Sequence, residues 1–186
     1  MAGGEERVLR RRIRSIQSTR KTTRAMELIA GSRIVRAQSR IVGARPYVER
    51  LDQLTADLAA APGGISHRFL QPPDPSAPVT MVVVAGDRGL SGPYNTSVLR
   101  VAEQALAAHA SEGRERRLVV VGRKAVGYLR FRGQPVDQAF TQMTDQPTYE
   151  DARTLAEAVE GPFMEGSAGA VEVISTRFVS MGSQRV

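Results

Sequence analysis

Residues 13–51 decide the fold; written in sevens they read IRSIQST RKTTRAM ELIAGSR IVRAQSR IVGARPY VERL. Apolar residues fill the first position of four of these sevens, and a second apolar set lies three residues later. Positions spaced alternately three and four apart form one stripe on an α-helix and predict a left-handed coiled coil. We expect a long helix over residues 1–60, of which the part from residue 8 onward is roughly 80 Å long. Its seam residues are Ile13, Ile16, Ile34, Ile41, Val48 and Leu51.

The seam has polar interruptions and one patch of small residues. Arg20, Glu27 and Thr55 stand at the first seam position, and Thr23 stands at the second. Residues 30–32 are Ala, Gly and Ser, beside which another backbone can approach closely. The stripe therefore predicts a helical partner and an imperfect seam.

The same helix is strongly basic. Between Arg7 and Arg40, ten Arg and Lys21 stand against a single acid, Glu27, giving this segment +10 while the whole chain carries +7. Like-charged neighbours such as Arg7 and Arg11 each destabilise a helix by a few tenths of a kcal/mol, about 0.2–0.5. Because mixed charges would form a more stable solvated face, the pattern favours an acidic partner surface over simple exposure to solvent.

The end of the helix region is marked by Pro and Gly. Pro46 removes one backbone N–H and strains the preceding turn, so we expect a bend or break there, eased by Gly43. Residues 61–78 hold five Pro and two Gly and predict a linker.

The pattern changes after the linker, and residues 79–186 predict a Rossmann-like α/β domain. Val79–Ala85 is a continuous apolar run typical of a strand buried on both faces. Asn95 or Thr96 can cap the first helix, and Thr148 can cap the last. Strands are expected at 79–85, 118–121, 136–141 and 171–179, with helices at 95–110, 123–131 and 147–164. This alternation predicts a parallel sheet with flanking helices, so the fold class is α/β.

A Gly-rich loop follows the first predicted strand, where open α/β sheets bind phosphates. Residues 86–92 match neither G-x-G-x-x-G nor the P-loop pattern, and Asp87 would repel a phosphate. The residues favour a tight turn in which Asp87 and Arg88 pair locally. An anion-binding enzyme centred on residues 87–91 stays open as an alternative, although Ser91 has no nearby base.

The composition restricts the remaining chemistry. The chain has no Cys, which excludes thiolate metal sites. It has two isolated histidines, His67 and His109, which argues against a histidine-based metal or catalytic site. No apolar window is long enough for a transmembrane helix, and the charged start from Glu5 does not resemble a secretory signal. We therefore predict no cofactor and no metal. The basic balance leaves nucleic acid, anionic membrane and acidic protein as partner classes.

Two motifs carry a family resemblance. The order IRSIQSTRKTTRAMELIAGSR at 13–33 resembles the N-terminal helix of the gamma subunit of F-type ATP synthases. DRGLSGPYN at 87–95 is similar to that family's loop after its first strand, although the family commonly has Cys where Ser91 stands and Gly where Pro93 stands. Weaker similarity continues at 121–124, 146–149 and 177–184. The loop residues that match are Asp87, Arg88, Gly89 and Gly92.

The resemblance implies a non-catalytic rotor subunit of the central stalk, which couples proton flow to ATP synthesis in partner subunits. Such a helix pairs antiparallel with a C-terminal helix inside a ring of alpha and beta subunits. The Rossmann-like domain then lies against the epsilon subunit and the membrane rotor ring. The implied location is the cytoplasmic side of a bacterial cell membrane, peripheral and reached only through the complex. The residues implied to face the alpha and beta subunits are Arg12, Arg20, Arg24, Met26, Arg33 and Arg36.

One departure from the family affects this interpretation. Family members continue beyond the point that matches Val186 into the C-terminal helix that completes the shaft. We therefore expect either that another chain covers the seam or that this is a truncated form. A nucleic-acid-binding basic helix remains the alternative. It is less favoured because the basic stretch has no aromatic residue before Tyr47 and carries a seam that DNA would not need.

Overall fold

The computed structural model of the chain describes residues 2–61, 67–74, 76–180 and 182–186. It divides into two compact units, Met1–Leu70 and Gln71–Val186. Part of the predicted linker, residues 62–66 and Pro75, lies outside the described residues. Arg68–Leu70 forms a short 3₁₀ helix within that stretch.

The first unit is dominated by one helix, α1, which runs without interruption from Ala2–Ala60. The long helix is confirmed, and a break at Pro46 is wrong because the helix continues through it, whereas a bend there stays a prediction. Pro46 removes a single N–H, and Gly43 relieves crowding in the turn before it. Since this part of the helix is exposed, water can satisfy the carbonyl that loses its donor.

The second unit contains a four-stranded parallel sheet in the order β3-β2-β1-β4. The strands are β1 (Val79–Val84), β2 (Arg116–Val121), β3 (Gln138–Phe140) and β4 (Ala170–Ile174). The central strand β1 is buried along most of its length, as its run of apolar and β-branched residues predicted, and the buried residues include Thr80. The predicted α/β class with a parallel sheet is confirmed.

Three helices flank the sheet: α2 (Tyr94–Ser111), α3 (Arg123–Phe131) and α4 (Tyr149–Glu165). Thr148 caps α4 as predicted, in a reciprocal capping box with Asp151. The predicted cap of α2 is wrong, because Pro93 occupies the N-cap position without a side-chain hydrogen bond. Asn95 instead holds the preceding loop, and the Thr96 hydroxyl donates to the Pro93 carbonyl at 3.0 Å.

The core forms where α2 and α3 cover one face of the sheet. Alternate residues of the central strands point into it, as a pleated strand requires. Apolar residues of α2 and α3 recur at helical spacing and fill the space opposite. The buried cluster includes Val79, Met81, Val83, Leu118, Val120, Val98, Ala102, Leu106, Ala125 and Leu129.

The predicted last strand at 171–179 is wrong as a single element. The chain leaves the sheet after Ile174, because its partner β1 ends one residue beyond the pairing of Val83 with Ile174. Beyond that point, β5 (Arg177–Ser180) and β6 (Ser183–Arg185) pair as a separate antiparallel hairpin.

Gly122, between β2 and α3, is the glycine whose replacement is expected to be most harmful. Its φ is +97°, and a Cβ there would lie 2.2 Å from the Ala85 carbonyl oxygen. We expect Gly122→Ala to lower the free energy of unfolding by at least about 2 kcal/mol, measured by urea denaturation. Gly127→Ala is the matched control, because a Cβ at that helical position meets nothing within 4 Å. It should stabilise by up to about 1 kcal/mol, and equal effects of the two variants would contradict this account.

Candidate functional site

The seam of α1 is exposed along its whole length. Its six predicted residues are each between 40% and 62% exposed, and no described residue of α1 from 4 to 60 is buried. Burying an aliphatic side chain of this size stabilises a protein by about 1.5–3 kcal/mol. A partner that covers the remaining surface therefore has several kcal/mol available from the seam alone.

The hydroxyl groups of the seam threonines are hydrogen-bonded within α1. The Thr23 hydroxyl donates to the Thr19 and Arg20 carbonyls at 3.1 and 3.0 Å, and the Thr55 hydroxyl donates to the Leu51 carbonyl at 2.9 Å. Because each hydroxyl is satisfied by its own helix, covering it does not leave an unpaired polar group. These interruptions of the stripe remain compatible with a packed helical partner.

The predicted partner-binding residues do not share one face of α1. At about 100° per residue, Arg12, Met26 and Arg33 lie along one flank of the seam. Arg20 lies on the seam itself and Arg24 lies on the other flank. Arg36 lies well away from the seam, on the outer side of the helix. A partner that contacts all six must surround the helix, and their role stays a prediction.

Most of the charge of α1 is not neutralised by the helix itself. Ion pairs join Arg10 to Glu6 and Arg24 to Glu27 at 2.5 and 2.8 Å. Among the described residues, none of Arg12, Arg20 and Arg33 has an acid within ion-pair distance. The positive field of the helix is therefore available to an acidic surface.

The loop after β1 lies where open α/β sheets hold anionic ligands, and here a carboxylate of the protein fills that place. Asp87 is 6% exposed. Its carboxylate accepts from the backbone N–H of Arg123 at 2.9 Å, in the first turn of α3. It also accepts from the backbone N–H and hydroxyl of Thr144 at 3.1 and 2.7 Å. Asp87 thus joins the segments that follow β1, β2 and β3 and occupies the helix terminus that a phosphate would use.

The surroundings of Asp87 strongly favour its charged form. Burial alone would raise its pKa, but hydrogen bonds from the Gln142 backbone, the Thr144 hydroxyl and the backbone N–H groups of Arg123 and Thr144 outweigh burial and lower the pKa to about 2. Gln142 adopts a φ of 71°, which is uncommon for a residue other than glycine. An incoming phosphate would meet a buried negative charge, so the site is unsuited to a nucleotide.

The rest of the loop is fixed by Asn95. Its side-chain oxygen accepts from the Gly86 N–H at 2.8 Å, and its amide donates to the Arg88 carbonyl and the Ser91 hydroxyl at 3.2 and 3.1 Å. The predicted pairing of Asp87 with Arg88 is wrong, because the Arg88 guanidinium pairs with Asp145 instead. Gly89 and Gly92 are exposed, and Gly92 has a φ of +56°.

The sequence patterns did not predict the contact between His109 and Glu172. His109 of α2 is buried, and its Nε2 lies 2.9 Å from Oε2 of Glu172 in β4. The two residues are 63 positions apart, so no local motif signals the contact. Within the described residues, no group of His, Cys, Asp and Glu is arranged to hold a metal ion.

Among the described residues, no helix is sufficiently long and apolar to cross a membrane. The architecture is that of an α/β protein with a long exposed helix, and the loop that binds phosphates in open α/β sheets is filled here by its own carboxylate. The family model described as ATP synthase matches residues 5–186, and the chain belongs to this family.

Relatives of the chain are ATP synthase gamma chains. It is 41% identical over 185 residues to that of Frankia casuarinae, covering 97% of this chain and 62% of the relative. It is also 41% identical over 192 residues to that of Mycolicibacterium smegmatis, covering 96% and 62%. The chain thus spans about three fifths of the length of these curated relatives. Nothing in these matches supports the nucleic-acid-binding alternative.

Asp87→Asn tests whether the Asp87 carboxylate anchors the segments that follow β1, β2 and β3. Because the pKa of Asp87 is about 2 in the folded chain against an ordinary 3.8, its stabilisation of about 2 kcal/mol is present above pH 4 and is lost as the pH falls toward 2. We expect the variant to lose about that much unfolding free energy at pH 7 and to depend less on pH between 4 and 2. Asp145→Asn removes only the more exposed pair with Arg88 and should cost less than about 1 kcal/mol. Equal losses, with an unchanged pH profile, would refute the anchoring role.

Proposed function

We propose that the chain acts as the central-stalk, or rotor, part of an F-type ATP synthase gamma subunit. The observation that carries this proposal is a long exposed heptad helix in a chain that belongs to the ATP synthase family. In this role the chain performs no catalysis. Rotation driven by proton flow changes the nucleotide sites of the partner subunits in turn, and ATP is made there.

The seam of α1 is proposed to hold a second long helix, which the described residues do not include. The helix supplies its apolar half of a two-stranded coiled coil, and its threonines are already satisfied internally. Relatives are longer than the matched region, so their remaining length is a reasonable source of the second helix. A two-stranded shaft resists bending better than one exposed helix, as torque transmission requires.

The charge of α1 is proposed to face the alpha and beta subunits. Away from the seam, Arg12, Arg24, Met26, Arg33 and Arg36 lie on several sides of the helix, which suits a shaft enclosed by a ring. Arg20 lies at a seam position, so its long side chain would have to reach the ring past the edge of the second helix. The cations without acidic partners on their own helix favour acidic ring surfaces. The α/β unit is proposed to contact the epsilon subunit and the membrane rotor ring.

The location that follows is peripheral, on the cytoplasmic side of a bacterial cell membrane. Contact with the membrane is made only through the complex. The finding that no helix among the described residues can span a membrane is compatible with this proposal.

Assembly tests the proposed role. We expect the chain, co-expressed with alpha and beta subunits and with the C-terminal part of a relative's gamma chain, to enter one complex isolated by affinity and gel filtration. Ile41→Asp places a charge in the seam and should reduce its recovery at least about tenfold. Ser39→Asp changes an exposed polar position off the seam and serves as control. If the chain fails to enter the complex, or if both variants assemble equally well, the proposal is wrong.

Nucleotide titration tests the absence of a nucleotide site in this chain. Because Asp87 fills the helix terminus, titrating the chain with ATP or NAD in a calorimeter should give no binding heat. A titration with saturable heat would place nucleotide chemistry in this chain and contradict a purely mechanical role.

A further inference from the structure

The outer face of α3 is cationic and carries an exposed aromatic side chain. Five exposed residues form this face: Arg123, Lys124, Gly127, Arg130 and Phe131. At about 100° per residue, the four side chains lie within about 60° of Gly127 on either side. The buried residues of α3 lie about 100° or more from Gly127 and belong to the core: Ala125, Val126 and Leu129. The helix therefore has an apolar inner face and a positively charged outer face.

Most of the charge on the outer face is not neutralised by the chain. Among the described residues, neither Lys124 nor Arg130 has an acid within ion-pair distance, and Arg123 lies 3.8 Å from its nearest acid, Asp87. The sequence of α3 contains no acid, and cations in the first turn of a helix oppose its dipole. Asp87 offsets only part of this charge. An acidic surface from outside α3 would relieve the rest.

Gly127 lies at the centre of the outer face, and the chain itself does not require a glycine there. Glycine is unfavourable inside a helix. The φ of Gly127 is not positive, and a Cβ at this position would meet nothing within 4 Å. Neither backbone conformation nor packing within the chain therefore explains the residue. A missing side chain does let a second helix approach closely, because the distance between packed helices depends on the side chains at their contact.

We propose that the outer face of α3 binds an acidic helix of another subunit of the ATP synthase complex, which crosses α3 at Gly127. Phe131 is 87% exposed and packs against the aliphatic side chains of that helix. Lys124 and Arg130 pair with its carboxylates, one on each side of the glycine. Arg and aromatic residues are enriched at protein interfaces. This inference rests on the proposed function, because it takes the partner from that complex.

The composition of the face favours a separately folded protein as its occupant. A helix face that is covered by its own chain is normally apolar, as the inner face of α3 is. An anionic membrane attracts clusters of about four to eight cations, and it gains nothing from a missing side chain. The outer face has three cations, and the neighbouring Arg132 is paired with Glu103.

Photocrosslinking in the assembled complex tests the inference. The chain with Phe131→benzoylphenylalanine is co-expressed with the other subunits of an F-type ATP synthase and the C-terminal part of a relative's gamma chain. Illumination should attach α3 to one peptide of another subunit, and mass spectrometry should show that this peptide has an excess of Asp and Glu. Tyr149→benzoylphenylalanine is the matched control. It replaces an exposed aromatic residue at the start of α4, beside Glu150 and Asp151, and should not reach that peptide.

The outcomes separate this inference from the proposed function. An assembled complex that gives no attachment would overturn the inference and leave the rotor function standing. Attachment to a lipid, to the gamma subunit itself or to a peptide without an acidic excess would overturn it as well. A complex that does not form would overturn the rotor function, and the inference with it.

Gly127→Leu separates binding from folding. Leucine favours the helix, so the isolated chain should unfold at the same or a higher temperature, whereas the added side chain holds a second helix away. The yield of the Phe131 crosslink should fall at least about tenfold. Ala107→Leu, at an exposed position of α2, is the matched control and should leave the yield unchanged. An undiminished yield with Gly127→Leu would overturn the crossing at this residue.

A charge exchange tests the pairing of Arg130 with an acid of the partner. Arg130→Glu should lower the crosslink yield about tenfold, and replacing the facing acid of the attached peptide with Lys should restore it. Arg153→Glu is the control, because Arg153 is an exposed residue of α4 that pairs with Glu157. It should leave the yield unchanged. Additive losses in the exchanged pair would overturn the assigned contact.

Discussion

The structure depends on the apolar stripe of α1, which is exposed in the part of the chain that the structure describes. The stripe of α1 recurs every three and four residues, yet no described residue of that helix from 4 to 60 is buried. Isolated helices are marginal in water, and most of their stability in proteins comes from packing an apolar face. The excess of basic residues has a similar explanation. Like-charged neighbours destabilise a helix, and an acidic surface outside α1 would offset that repulsion. The proposed partners explain both features.

In the second unit, a side chain of the protein itself orders the carboxyl end of the parallel sheet. Asp87 supplies the negative charge that the first turn of α3 attracts, and it receives hydrogen bonds from the segment after β3 as well. Gly122 allows the close approach that brings these segments together. The same geometry that binds a phosphate in related architectures here ties together the segments after β1, β2 and β3. An ordered loop of this kind is compatible with the proposed rotor role.

Most of the fold was predictable from local patterns, because helix and strand periods are properties of short stretches. The repeat in α1, the apolar run of β1 and the cap at Thr148 all followed from neighbouring residues. The errors arose where distant parts decide the outcome. Asp87 meets Thr144 across 57 positions, and the end of β1 determines where β4 stops. At Pro46, exposure to solvent preserved the helix despite the unfavourable residue.

The contact between His109 and Glu172 has a consequence for solubility. Glu172 belongs to β4, the outermost strand of the sheet on that side, whose free backbone groups can recruit a strand from another molecule. Its carboxylate points toward His109 of α2, so any incoming strand would meet a charge directed inward at the sheet margin. The edge strand β4 is also only five residues long. The Glu172 side chain therefore discourages edge-to-edge pairing of sheets, and its contact with His109 fastens α2 to the sheet.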